Sequence, residues 1–168
     1  MLKVMGCILI IFSASLAGFY FSGRLNQRKN FLKAFISFLK SLEIQLRYSG
    51  EDIFQLIPKC SDSEILKLFF INLTAENVND ISFSELWRKA VNSSAKSCNL
   101  KKSDCQSLID FGGSLGTTDT AGELSHIKLY EEVFSKALEN AQEDLDKKSK
   151  LYKAMGFFLG TSIALMIV

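Results

Sequence analysis

Residues 120–168 read TAGELSHIKLYEEVFSKALENAQEDLDKKSKLYKAMGFFLGTSIALMIV. From Glu123 to Met155 this stretch holds no glycine or proline. Ile127, Tyr130, Phe134, Leu138, Ala141 and Leu145 recur at helical spacing, a single apolar stripe. Glu132–Lys136, Glu143–Lys147, Asp144–Lys148 and Asp146–Lys150 place acid before base at i,i+4, the order that supports a helix by a few tenths of a kcal/mol per pair. Thr120-x-x-Glu123 reads as the start. The spacing therefore predicts one long helix, about 50 Å from Thr120 to Lys153 at 1.5 Å per residue. It then continues into an uncharged end, Ala154–Val168.

The other end of the chain mirrors this one. Val4–Phe21 is 18 residues without a charge. A bilayer core of about 30 Å takes roughly 20 apolar residues, so this run reads as a membrane helix. A removed signal peptide is the alternative, since Ser15-Leu16-Ala17 resembles a cleavage site. The main basic cluster, however, follows the run rather than preceding it. Ala154–Val168, at 15 residues, rises only about 22 Å. It reads as a second span in a thinned bilayer, against a re-entrant or interfacial tail.

Arg24, Arg28, Lys29 and Lys33 follow the first run, and Lys147, Lys148, Lys150 and Lys153 precede the second. Cytoplasmic flanks carry such residues, so the expected topology is two-pass with the middle in the cytoplasm. The expected domains are a membrane helix at 1–23, a cytoplasmic helical bundle at 24–153 and a membrane helix at 154–168. Only Lys3 of the 20 lysines and arginines lies outside the middle, which holds 19 beside all 18 acids. A net charge near +1 provides no basic field for nucleic acid.

Within the middle, helical spacing recurs. Leu32, Phe35, Ile36, Leu39, Leu42 and Leu46 form the stripe of a first helix, continuous with the apolar run and ended by Ser49-Gly50. Ser49-x-x-Asp52 is expected to cap a short second helix that carries Ile53, Leu56 and Ile57 and stops at Pro58. Ser61-x-x-Glu64 opens a third, with Ile65, Leu68, Phe69 and Leu73 inward, and Glu76–Asp80 reads as a loop. Ser82-x-x-Glu85 opens a fourth, which buries Leu86, Trp87, Ala90, Val91 and Ala95. A fifth, from about Lys101 to Gly116, carries Leu108, Ile109 and Leu115. The expected fold is all-α, a bundle of about six helices.

Little here points to chemistry. No nucleophile–base pair or phosphate loop is visible. Gly112-Gly113-Ser114-Leu115-Gly116 lacks the lysine and the preceding strand of a phosphate loop and reads as a helix end and turn. His126 reads as a packing or surface histidine; a pH sensor has no partner cluster in the sequence. Cys7, Cys60, Cys98 and Cys105 show no CxxC spacing, so free thiols are expected and no metal or cofactor. Small residues recur every four positions at Ala14, Gly18 and Ser22, and at Gly156, Gly160 and Ala164. Such faces allow close helix packing, with a partner the spacing does not specify. Lys128, Glu131, Glu132, Lys136, Glu139 and Glu143 are the candidate partner face of the last helix.

Leu115-Gly116-Thr117-Thr118-Asp119, Gly122 and His126-Ile127-Lys128-Leu129-Tyr130-Glu131-Glu132, then Lys148 and Lys150-Leu151-Tyr152-Lys153-Ala154-Met155-Gly156, resemble the stage III sporulation protein AB family. Glu123 stands where that family has glutamine, and Ser49-Gly50-Glu51-Asp52 replaces its threonine–proline helix start. The resemblance implies a component of the channel-like complex between mother cell and forespore. It also implies similarity to the inner-membrane platform proteins of type II secretion and type IV pilus machines. The implied partners are a cytoplasmic secretion-type ATPase and the complex's other membrane subunits. The implied location is the mother-cell membrane around the forespore. The resulting expectation is a non-enzymatic platform, with a membrane-anchored sensor or chaperone-like protein as the alternative.

Overall fold

The computed structural model describes residues 2–60, 63–74 and 82–167; within them the side chains of 2–4, 7, 8, 10, 11, 15, 68, 72, 74, 153, 157, 164 and 167 lie outside the described set. Among the described residues there are six helices and no strand: α1 Leu2–Ser49, α2 Ile53–Lys59, α3 Glu64–Thr74, α4 Phe83–Ser97, α5 Lys102–Ser114 and α6 Thr120–Ile167. The chain falls into two compact units, Arg28–Glu139 and the pairing of Met1–Gln27 with Asn140–Val168. The boundaries between these units lie inside α1 and α6.

The Arg28–Glu139 unit is a bundle with an aromatic centre. The stripe read on α1 is buried as a set: Leu32, Phe35, Leu39 and Leu42 are at 0% exposure. Phe31 and Phe38 join them. Phe35 meets Phe134 at 4.8 Å, Phe38 at 5.5 Å and Phe111 at 5.9 Å between ring centroids. Trp87 is fully buried, meets Phe69 at 4.9 Å and donates its indole N–H to the Leu108 carbonyl at 2.7 Å. Tilted and edge-on rings add to the area they bury.

Several local expectations are corrected. Asp52, not Ser49, caps α2, accepting the Phe54 amide at 2.8 Å. Pro58 lies inside α2 rather than ending it, because the Cys60 amide closes the last turn on Leu56 at 3.1 Å. On α3 the inward face is Leu66, Phe69 and Phe70, and Ile65 is exposed. Ser94 is buried on α4 where Ala95 was expected, and Ala95 is half-buried. α5 ends at Ser114. Gly112 is inside it because a Cβ there would overlap the Trp87 indole. Asp119, not Thr120, caps α6, accepting the Gly122 amide at 3.0 Å. The Ser61 cap and the 76–80 loop lie outside the described residues.

Arg28 does not belong to a basic collar. It is buried, and its guanidinium forks onto Asp104 at 2.7 and 3.0 Å. Asp104 also accepts the Lys101 amide at 2.9 Å, so one carboxylate closes the start of α5 and ties it to α1. A two-point pair of this kind fixes orientation as well as contributing energy.

In the other unit the two chain ends run antiparallel. Phe21 faces Tyr152 with centroids 6.0 Å apart, and the Ser22 and Ser149 hydroxyls meet at 2.6 Å. Among the described residues, no helix is long and apolar enough to cross a membrane. The two spans read from the sequence are therefore not shown by the described residues. Val4, Cys7, Ile8, Ile10 and Ile11 of the first run have side chains outside that set.

Candidate functional site

The turn between α5 and α6 is the most organised polar site in the bundle. Gly116 sits at φ +75°, where L side chains are strained. A Cβ there would also come 2.5 Å from the Phe54 ring. That backbone turns the Gly116 amide onto Glu123 Oε1 at 2.9 Å, and the Thr118 amide reaches the same oxygen at 3.3 Å. Glu123 is 3% exposed, and its Oε2 is buried without a hydrogen-bond partner among the described residues. Its carboxylate holds the turn as a cross-brace from the first turn of α6.

One turn on, His126 Nε2 lies 2.6 Å from Ser114 Oγ. The imidazole stacks on Phe111 at 5.5 Å and 4°, and meets Tyr130 at 4.8 Å. Ser114 Oγ also lies 2.8 Å from the Asp110 carbonyl and 3.2 Å from the Phe111 carbonyl. Either atom can donate in the Ser114–His126 bond, according to the imidazole tautomer. Nδ1 is buried without a partner among the described residues. Burial lowers the His126 pKa below its ordinary value, with Glu123 opposing that shift. Serine and histidine thus meet at the junction, while the Glu123 carboxylate bonds the amides of the turn rather than the imidazole. These contacts tie the end of α5 to the start of α6.

The other candidates for chemistry are quiet. Cys60, Cys98 and Cys105 form no disulfide among the described residues. Burial raises the Cys98 and Cys105 pKa values, which keeps these thiols protonated and poorly nucleophilic. Among the described residues no group of His, Cys, Asp and Glu could hold a metal ion. A cavity of about 350 Å³ beside Phe54, Ile57, Phe70 and Leu86 is apolar, with no charged lining group among the described residues.

The small-residue positions are brought together in part. A Cβ on Gly156 would lie 2.7 Å from the Ala14 carbonyl oxygen and 3.3 Å from Gly18 Cα, so the two backbones approach where a side chain would hold them apart. Ser22 and Gly160 are buried, and Ala164 has its side chain outside the described residues.

The six charged residues of the candidate partner face differ in their immediate surroundings. Lys128 and Glu131 turn toward α1, 3.8 Å from Glu43 and 3.4 Å from Lys40. Glu132, Lys136 and Glu139 are exposed. Glu143 belongs to the terminal unit, where it holds Lys147 at 2.9 Å. Sequence reading overlooked Leu129 and Val133, which are 57% and 37% exposed between those charges. The apolar stripe was sought as core only, so apolar residues off the stripe raised no signal.

The sequence model of the family described as Stage III sporulation protein AB (spore_III_AB) matches residues 3–168. The chain belongs to the stage III sporulation protein AB family. Stage III sporulation protein AB of Bacillus subtilis (strain 168) is 25% identical over 171 residues, spanning 100% of both chains. No solved structure matches. The stage III sporulation protein AB family acts in sporulation, and its description names no enzymatic activity. The motif that suggested this family, Leu115–Asp119 with His126, coincides with the α5–α6 junction. Gly116, Thr118 and Asp119 each have a hydrogen-bonding role there.

Proposed function

We propose that the chain is a non-enzymatic, membrane-anchored scaffold of the sporulation machinery. The terminal helix pair is its two-pass anchor in the mother-cell membrane around the forespore. The bundle lies in the cytoplasm and docks a secretion-type ATPase beside the other membrane subunits of the channel complex.

The observation that carries this reading is the outer surface of the helix pair. Phe12, Leu16, Phe19, Phe158 and Leu159 are all more than half exposed, whereas Gly18, Ser22 and Gly160 are buried. Leaving apolar area in water costs about 25 cal/mol per Å², and exposed apolar patches mark membrane or protein contacts. The uncharged stretches Val4–Phe21 and Ala154–Val168 and their basic flanks point the same way. A locally thinned bilayer accommodates the shorter segment. The ATPase-docking part draws on the resemblance to secretion platform proteins and on the outward residues Glu132, Lys136 and Glu139. The non-enzymatic part draws on the family description, which names no enzymatic activity. The alternative, a sensor or chaperone-like protein, draws on α6, unbroken over the 48 residues Thr120–Ile167.

Two measurements test the proposal. Tagged full-length chain co-expressed with the machine's ATPase should retain it through purification, and Glu132→Lys with Glu139→Lys should release it. No retention, in detergent or after cross-linking in cells, overturns the docking role. Asn92→Cys, in a background lacking the four native cysteines, should react with an impermeant thiol reagent only after cells are opened. Reaction in intact cells overturns the topology.

A further inference from the structure

We infer that the terminal helix pair has a defined water–lipid boundary at the level of Phe21 and Tyr152, where Arg24 and Lys150 bind anionic phospholipid headgroups. This rests on the membrane reading above and names the ligand of that surface. Three contacts set the level. The Gly156 approach to Ala14 and Gly18 joins the helices on the apolar side. The Phe21 and Tyr152 rings then face each other at 6.0 Å. Beyond them, the Ser22 and Ser149 hydroxyls bond at 2.6 Å. Side chains therefore change from small, to aromatic, to polar in the same order along both helices.

The outward residues change at the same level. Phe19 and Tyr20 are 59% and 69% exposed. Aromatic rings with a polar tip favour the headgroup layer, apolar body inward and hydroxyl toward water. Arg24 lies three residues beyond Phe21, and Lys150 two beyond Tyr152, both exposed; Lys153, next to Tyr152 on its apolar side, has its side chain outside the described residues. Lys147 and Lys148 stand farther from the apolar end, so Arg24 and Lys150 are the cations with described side chains nearest the level of the two rings on their helices within the terminal pair. A bilayer with anionic headgroups matches both halves of the surface, apolar below and positive at the rim. Each such cation favours anionic over neutral lipid by about fivefold.

The test uses the full chain purified in mild detergent, with equal amounts of phosphatidylglycerol and phosphatidylcholine. Retained lipid is quantified by mass spectrometry after gel filtration. Phosphatidylglycerol should be retained at least about fivefold over phosphatidylcholine. Raising the salt, or Arg24→Gln with Lys150→Gln, should abolish the preference. Lys89→Gln with Lys96→Gln, exposed positions in the bundle, should leave it intact. Equal retention of the two lipids by the unaltered chain, or a preference that survives in the Arg24/Lys150 variant, overturns the inference. Trp87 emission verifies that the variant bundle is folded. Membrane fractionation separates this outcome from the broader one. Absence of the chain from membranes removes the anchor proposal itself, whereas membrane residence without lipid preference removes only the headgroup assignment.

Discussion

The bundle and the terminal helix pair use the same residue types in opposite places. In the bundle, Phe31, Phe35, Phe69, Phe111 and Phe134 are fully buried. In the helix pair, Phe12 and Phe158 are 63% and 66% exposed while Gly18, Ser22 and Gly160 occupy the contact. Burial of large rings drives a fold in water, because apolar area removed from solvent is the main favourable term. It does not account for a contact made of glycine, alanine and serine. Such a contact gains from close backbone approach and from a hydroxyl pair, terms that count when the surroundings are as apolar as the side chains.

The largest effect expected from this contrast is at Phe35. Phe35→Ala should destabilise the bundle by about 3–5 kcal/mol through lost transfer energy and the cavity left behind. Phe158→Ala should shift the same transition by no more than about 0.5 kcal/mol, as for a surface site. Denaturant unfolding of full-length chain in detergent, followed by the emission of its single tryptophan, Trp87, measures both. Similar losses at the two sites would erase the distinction.

Gly156 tests the same contrast from the other side, with a smaller effect. Ser22→Cys with Ser149→Cys, in a background lacking the native cysteines, should form a disulfide on mild oxidation, because the two serine hydroxyls lie 2.6 Å apart. Adding Gly156→Leu should cut the cross-linked fraction severalfold, since its side chain would meet the Ala14 carbonyl oxygen and Gly18. Bundle unfolding should not change. Undiminished cross-linking would mean that the helices can pair without the glycine contact.

The parts of this structure legible in sequence are those governed by local period. The α1 stripe from Leu32 to Leu46 and the Ser82 cap of α4 follow from spacing alone, and both are present. What period does not encode is contact between distant segments. Arg28 looked like one more flanking cation because its partner, Asp104, is 76 residues away. Gly112 looked like a helix end because the indole that fills its place comes from α4. Glu123 looked like a helix-start acid, yet its partners are amides of the preceding turn. The α3 face was read in part: Phe69 is buried as expected and Leu68 lies outside the described side chains, but Leu66 and Phe70 are buried where Ile65 was expected, because an apolar run offers more than one inward stripe. The small-residue positions were visible, but their spacing fits a partner in the same chain or in another equally well. Only the placement of Gly156 against Ala14 and Gly18 identifies a partner within the chain.

The smallest effect contrasts the uncharged runs with the α5–α6 junction by proton binding. Neither Val4–Phe21 nor Ala154–Val168 contains an acidic or basic side chain, whereas the bundle holds His126 against Phe111, Ser114 and Tyr130. Burial lowers the folded pKa of His126 from 6.5, and the attraction of Glu123 only partly offsets it. Between that lowered value and 6.5 the unfolded chain binds a proton that the folded chain does not, so stability rises with pH across the window. The contribution is complete above about pH 6.5 and is lost as the pH falls toward the folded value. The bundle's melting temperature, read by Trp87 emission between pH 7.5 and 5.5, should therefore decline on acidification. His126→Gln keeps a donor near Ser114 but cannot take up the proton, so its decline should be shallower. Parallel profiles for the two chains would show that the junction does not titrate in this range, and the proton dependence would then have to come from groups outside the α5–α6 turn.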